Sequence, residues 1–161
     1  MLRILKILLV IAVATWGLLG AFGNFHDWQG TKGAVAATLS MTTFEGGSDD
    51  WRATASPALV LAGALAIPSL KLVTALLCLA GAWRMWAVRG RDPATFDAAK
   101  TLALAGCGVA VLMLFAGWIV IAETWFELWR SEAMREAALD AALRYGAFIG
   151  IIALFVGARE P

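Results

Sequence analysis

Residues 57–86 read PALVLAGALAIPSLKLVTALLCLAGAWRMW, and this stretch decides the fold. A helix crosses the hydrocarbon core of a bilayer, roughly 30 Å, with about 20 apolar residues, and Ala58 to Trp83 is long enough. The stretch also carries Pro68 and Lys71 near its middle. At 1.5 Å per residue Lys71 lies about 21 Å along the helix from Pro57, hence near mid-bilayer. A charge at that depth is expensive in lipid, so the rest of the chain or a partner must compensate it.

Three further apolar runs accompany it, at about residues 4–22, 98–122 and 137–158. The chain of 161 residues is 61% hydrophobic, with a mean hydropathy of +0.77, whereas soluble domains are about 45–50% apolar. Continuous runs of this length differ from the alternating strands, about ten residues each, of an outer-membrane barrel. Helices also satisfy their own backbone groups in lipid. The expected fold is all-α: one transmembrane domain over residues 1–161, an integral-membrane four-helix bundle with spans near 4–22, 58–83, 98–122 and 137–158. Arg3 and Lys6 before the first run resemble the start of a signal peptide, but the small-x-small pattern near Gly20–Gly23 is poor, and an uncleaved first span is expected.

Between the spans, Gly23–Ser56 is too long for a simple turn. Its apolar patch Ala34–Met41, flanked by Trp28 and Trp51, predicts a short helix on the membrane surface. Trp125, Phe126 and Trp129 alternate with Glu123, Glu127, Arg130, Glu132, Arg135 and Glu136, which predicts a short amphipathic elbow. Small residues mark the expected helix contacts: Gly17 and Ala21; Ala99, Ala103, Gly106 and Ala110; and Ala138, Ala142, Gly146 and Gly150 at four-residue intervals. The last ridge is the most regular, and chance in an Ala- and Gly-rich chain is its bland reading. Asp140 and Arg144 are spaced to pair along one helix face.

Basic residues divide by loop. Arg3, Lys6, Arg84, Arg89, Arg91, Lys100 and Arg159 fall on one side, and Lys32, Arg52, Arg130 and Arg135 on the other, among most of the acids. The positive-inside rule then predicts an inner-membrane protein with both termini cytoplasmic, its first and third loops sharing the outer side. A net charge of +1 offers no basic field for nucleic acid.

Asn24-x-x-Asp27, Leu39-Ser40-Met41-x-Thr43, Trp51-Arg52-Ala53, Gly81-Ala82-Trp83-Arg84, Phe96-x-x-Ala99-Lys100 and Trp125-Phe126-x-x-Trp129-x-Ser131 occur in this order over nearly the whole chain. The ordered set resembles a family of small four-span bacterial integral membrane proteins of unknown function. Two positions depart from the family pattern. Thr42 stands where the family usually has Asp, and Thr124 stands directly before Trp125-Phe126 where it usually has Glu, with Glu123 one place earlier. A chemical role for either acid would not carry over to this chain. The resemblance implies a four-span inner-membrane protein and no activity.

Chemistry-bearing constellations are sparse. His26 is the only histidine; beside Asp27 it reads as a solvated loop residue, or as a site for a ligand on the outer face. Cys78 and Cys107 both fall inside spans and read as small apolar residues, their number and spacing excluding a disulfide framework or a CxxC metal site. The outer acids read as a solvated face, since acid–base work needs geometry and desolvation that spacing does not show. No nucleophile elbow, phosphate loop or Walker motif occurs, and no metal, cofactor or enzymatic activity is expected. Pro68 leaves the Ala64 carbonyl without its helical donor, and Ala64 shares a face with Lys71, so the ammonium is expected to reach that carbonyl. Its other reading is contact with a partner acid, an anionic lipid or a quinone-like headgroup.

The expected role is a non-catalytic accessory or structural subunit of a larger bacterial inner-membrane complex, a respiratory complex being one candidate, with membrane lipids and either other integral membrane subunits or further copies of the chain as partners. Lys71, Pro68, Trp125, Trp129, Gly146 and Gly150 are its expected partner- or lipid-binding residues. The alternative is a small transporter or a ligand- or lipid-binding protein using the Pro68/Lys71 region.

Overall fold

A computed structural model describes residues 1–160, and every regular element among them is helical. Pro161, the last residue of the expected domain, lies outside the described residues. Four helices are long and apolar enough to cross a membrane: α1 (Leu2–His26), α3 (Pro57–Ala87), a composite helix over Pro93–Trp125, and another over Glu136–Gly157. The four expected spans sit on these helices, which run on by about a turn at several ends because helical backbone does not stop where hydrophobicity does.

Asp27 ends α1 and begins the next helix. Its carboxylate accepts the Gly30 N–H at 3.0 Å and so caps α2 (Trp28–Ser40). The patch expected over Ala34–Met41 is therefore the second half of a longer helix. Val35 of α2 packs over Gly63 of α3, where a Cβ would stand 2.9 Å from Val35 Cγ1.

α3 occupies the centre. It runs as one helix through Pro68, and Ala64 and Pro68 are both buried. Lipid gives helices no hydrophobic reason to associate, which leaves close van der Waals approach as the main force. On one flank Gly17 of α1 lies over α3, where a Cβ would come within 3.2 Å of Ala75 Cβ and 2.7 Å of the Lys71 carbonyl. On the other flank lies α5 (Thr101–Leu112), entered through the short α4 (Pro93–Ala99) that Asp92 caps. Gly81 meets the backbone of Ala103, and a Cβ on Gly106 would stand 2.6 Å from Cys78 Sγ. The expected stripe Ala99, Ala103, Gly106 and Ala110 is buried in this seam.

From Met113 to Trp125 the third span changes to π-helical bonding. This widens the helix and turns the residues that follow. Thr124 donates to the Ile119 carbonyl five residues back, at 2.8 Å. The expected amphipathic elbow is instead a sharp turn. Glu127 takes a left-handed φ of 52, Leu128–Arg130 form one 3-10 turn, and Phe126, Leu128 and Ser131 are buried. Burying residues on both sides of the turn forces the backbone inward, which a straight surface helix cannot do.

A π-helical turn over Glu136–Asp140 leads into α6 (Ala141–Gly157). Its buried positions are Ala142, Ile149 and Val156, seven residues apart. The four-residue ridge expected as the main seam is therefore corrected. A step of four residues advances about 40° around a helix, whereas seven residues return to within about 20°. By Gly150 the ridge has wound away, and a Cβ there would meet nothing within 4 Å; at Gly146 it would meet only Leu114 Cβ, at 3.8 Å. Arg144 lies over the Tyr145 ring at 5.5 Å and makes no ion pair with Asp140 among the described residues.

Candidate functional site

Lys71 leaves α3 on the face covered by α1. Its stem runs along Gly20, where a Cβ would stand 3.0 Å from Cδ and 3.2 Å from Nζ. The ammonium donates to Asn24 Oδ1 at 2.7 Å, not to the Ala64 carbonyl expected from the sequence. Asn24 Nδ2 in turn donates to Thr31 Oγ1 at 3.0 Å, and that hydroxyl donates to the Asn24 carbonyl at 3.1 Å. Asn24 lies in the last turn of α1, where the helix dipole favours a cation. The Trp16 ring adds a π face 6.0 Å from Nζ. The Lys71 ammonium thus has an amide, a helix C-terminus and an indole from its own chain.

A second cluster closes the end of the bundle where the termini meet. Lys6 is 1% exposed and Lys100 2%, values that for lysine require partners. Lys6 Nζ donates to the Ala158 carbonyl at 2.8 Å and to Glu160 Oε1 at 2.6 Å. Lys100 Nζ reaches the same Ala158 carbonyl at 2.8 Å, with Asp97 as its second acceptor. Arg3 pairs with Glu160 Oε2 at 3.2 Å, donates to the Arg91 carbonyl at 2.6 Å and lies over the Phe96 ring. Burial alone would raise the Glu160 carboxyl, but hydrogen bonds from Lys6, Arg3 and Lys100 hold it below the ordinary glutamate range. In the sequence Arg3, Lys6 and Lys100 point to one side of the membrane but not to this cluster. Arg3 and Lys6 find Glu160 and Ala158 more than 150 positions away, which no local pattern announces.

The opposite end joins the first and third loops. Arg52 donates to Asp50 Oδ2 and Glu127 Oε1, each at 2.8 Å, and to the Trp125 carbonyl at 2.9 Å. The Arg52 side chain and backbone N–H bring the Asp50 carboxyl down to about 2, and Arg52 and Arg130 lower that of Glu127. These bonds hold the strained left-handed Glu127 in place. Trp51 meets Trp125 edge-on with centroids 5.6 Å apart, so the two loops do share one end and pack their aromatics together. Trp129 stands apart from that pair. It lines a groove between the π-helical segment and α6, together with Gly146. The structure thus brings neither Trp125 and Trp129, nor Gly146 and Gly150, to Lys71.

His26 stacks on Phe22 at 5.8 Å, and one Asp27 oxygen is taken by the α2 cap. Among the described residues no three His, Cys, Asp or Glu side chains converge as a metal site would require. The Cys78 thiol donates toward the Ala103 carbonyl at 3.8 Å, inside the α3–α5 seam.

No curated protein and no solved structure matches the chain. The four apolar helices and the ordered motifs agree with a sequence-family match that covers residues 2–159, and the chain belongs to that family, DUF2165, described as predicted small integral membrane proteins.

Proposed function

We propose that the protein is a non-catalytic accessory subunit that docks through α6 into a larger assembly of the bacterial inner membrane, with both termini cytoplasmic. The supporting observation is the contrast among small-residue faces. Those of α1 and α5 are filled by α3, whereas a Cβ on Gly150 of α6 would meet no other helix within 4 Å. In the most apolar stretch of the first span 39% of residues are buried within the chain, against 17% in the last. Small residues on an open helix face let a second helix approach closely, which is what membrane helix association uses. The intramolecular bond of Lys71 to Asn24 supports a structural role for that residue.

The test is gentle detergent solubilisation at native expression level, followed by native electrophoresis. The expected result is migration in a complex with other integral membrane proteins. Gly150→Leu should insert at normal abundance yet leave that complex. Wild-type protein migrating alone would overturn the reading. For orientation, a cysteine replacing Ser48 is expected to react with an impermeant thiol reagent from outside; labelling only from the cytoplasmic side reverses the arrangement.

A further inference from the structure

The groove between the π-helical segment and α6 has a volume of ≈ 680 Å³, within the range of about 300–1,000 Å³ typical of small-molecule sites. Its floor is apolar, with Leu114 and Phe115 on one wall and Gly146 on the other. Glu123, Glu136, Asp140 and Arg135 line it as well. The ionic clusters around Glu160 and Arg52 are internally paired. The side chains of these four make no hydrogen bond or ion pair among the described residues.

We propose that this groove binds a phospholipid whose zwitterionic headgroup ends in a primary ammonium, with one acyl chain lying along Leu114, Phe115 and Gly146. The charge pattern selects this occupant. Three carboxylates and one guanidinium carry a local charge that repels an anionic lipid, while a headgroup with both signs satisfies both kinds of residue. Its phosphate fits Arg135, whose guanidinium is suited to phosphate oxygens. Its ammonium offers three donors to the carboxylates, which a quaternary choline group lacks. The indole of Trp129, at the rim, belongs at headgroup depth. This site is separate from the docking face at Gly150, and the two proposals stand or fall independently.

The experiment uses the full chain, purified in mild detergent and exposed to equal amounts of phosphatidylethanolamine, phosphatidylcholine and phosphatidylglycerol, with retained lipid counted by native mass spectrometry. Phosphatidylethanolamine is expected to dominate. The paired change Glu136→Gln with Asp140→Asn should lower its retention about tenfold, as loss of two exposed ionic contacts implies. Gly146→Leu should lower it too by filling the groove. Helical content and thermal unfolding of each variant show whether the fold is intact. Any of three results overturns the proposal: equal retention of all three lipids, preference for phosphatidylglycerol, or unchanged retention in a folded paired variant. Binding of tetraphenylphosphonium that phosphatidylethanolamine does not displace would assign the groove to a lipophilic cation and overturn it as well.

Discussion

Gly81 and Gly150 look alike in the sequence, each a glycine in a long apolar run, yet they sit in opposite surroundings. Gly81 presses onto the backbone of Ala103 in the α3–α5 seam, and Gly150 faces open space on α6. In lipid the distinction matters more than in water, because helix contacts gain little from burying apolar surface and depend on how closely backbones approach. The α1–α3–α5 side holds the protein together, and α6 is attached along the seven-residue seam of Ala142, Ile149 and Val156 and by the ionic cluster at its end. Five substitutions test this division.

The largest effect is expected at the tight seam. Gly81→Leu puts a side chain into the backbone of α5, and overpacking of that kind costs about 3 kcal/mol or more. Denaturant titration in micelles should show strong destabilisation or failure to accumulate. A variant as stable as wild type would mean the seam is not closed.

The attachment of α6 is next. Glu160 is the shared acceptor of Arg3 and Lys6, and Glu160→Gln leaves buried cations short of a counter-charge, a loss of about 3 kcal/mol. The Glu160 carboxyl lies below its ordinary value when folded. Its contribution is therefore complete above the ordinary glutamate pKa of about 4.3 and is lost as pH falls through the folded value. Thermal stability should decline with acid in wild type and decline less in Glu160→Gln. Equal acid sensitivity would remove Glu160 as its source.

A smaller effect is expected where α1 meets Lys71. Asn24→Leu removes the acceptor and strands the ammonium, at about 2 kcal/mol. Lys71→Met should cost less, since it removes a charge that is itself unfavourable in the membrane, and combining the two should recover part of the Asn24→Leu loss. If Lys71→Met proves the more damaging single change, the ammonium has a partner beyond Asn24.

Smallest of all, Gly150→Leu should change stability by less than about 0.5 kcal/mol. A large loss would show that α6 packs through Gly150 after all and would erase the contrast with Gly81.

The sequence by itself determined the class of the molecule. Run length and hydropathy require four membrane helices, and the placement of basic residues correctly grouped Arg3, Lys6 and Lys100 at one end and Arg52 and Arg130 at the other. Local spacing also identified Gly17, Ala21, Ala103 and Gly106 as contact residues, because those stripes happen to face α3. It did not reveal that Gly150 faces away from the chain's own helices, since a four-residue repeat does not show how a helix is rotated about its axis. Only the tertiary structure decided that rotation, the π-helical widening after Met113, and the partners of Lys71 and Glu160. Asn24 and Lys71 are 47 positions apart, and Lys6 and Glu160 are 154 apart. Periodicity in one segment reports which residues share a face, and what covers that face depends on a helix elsewhere in the chain.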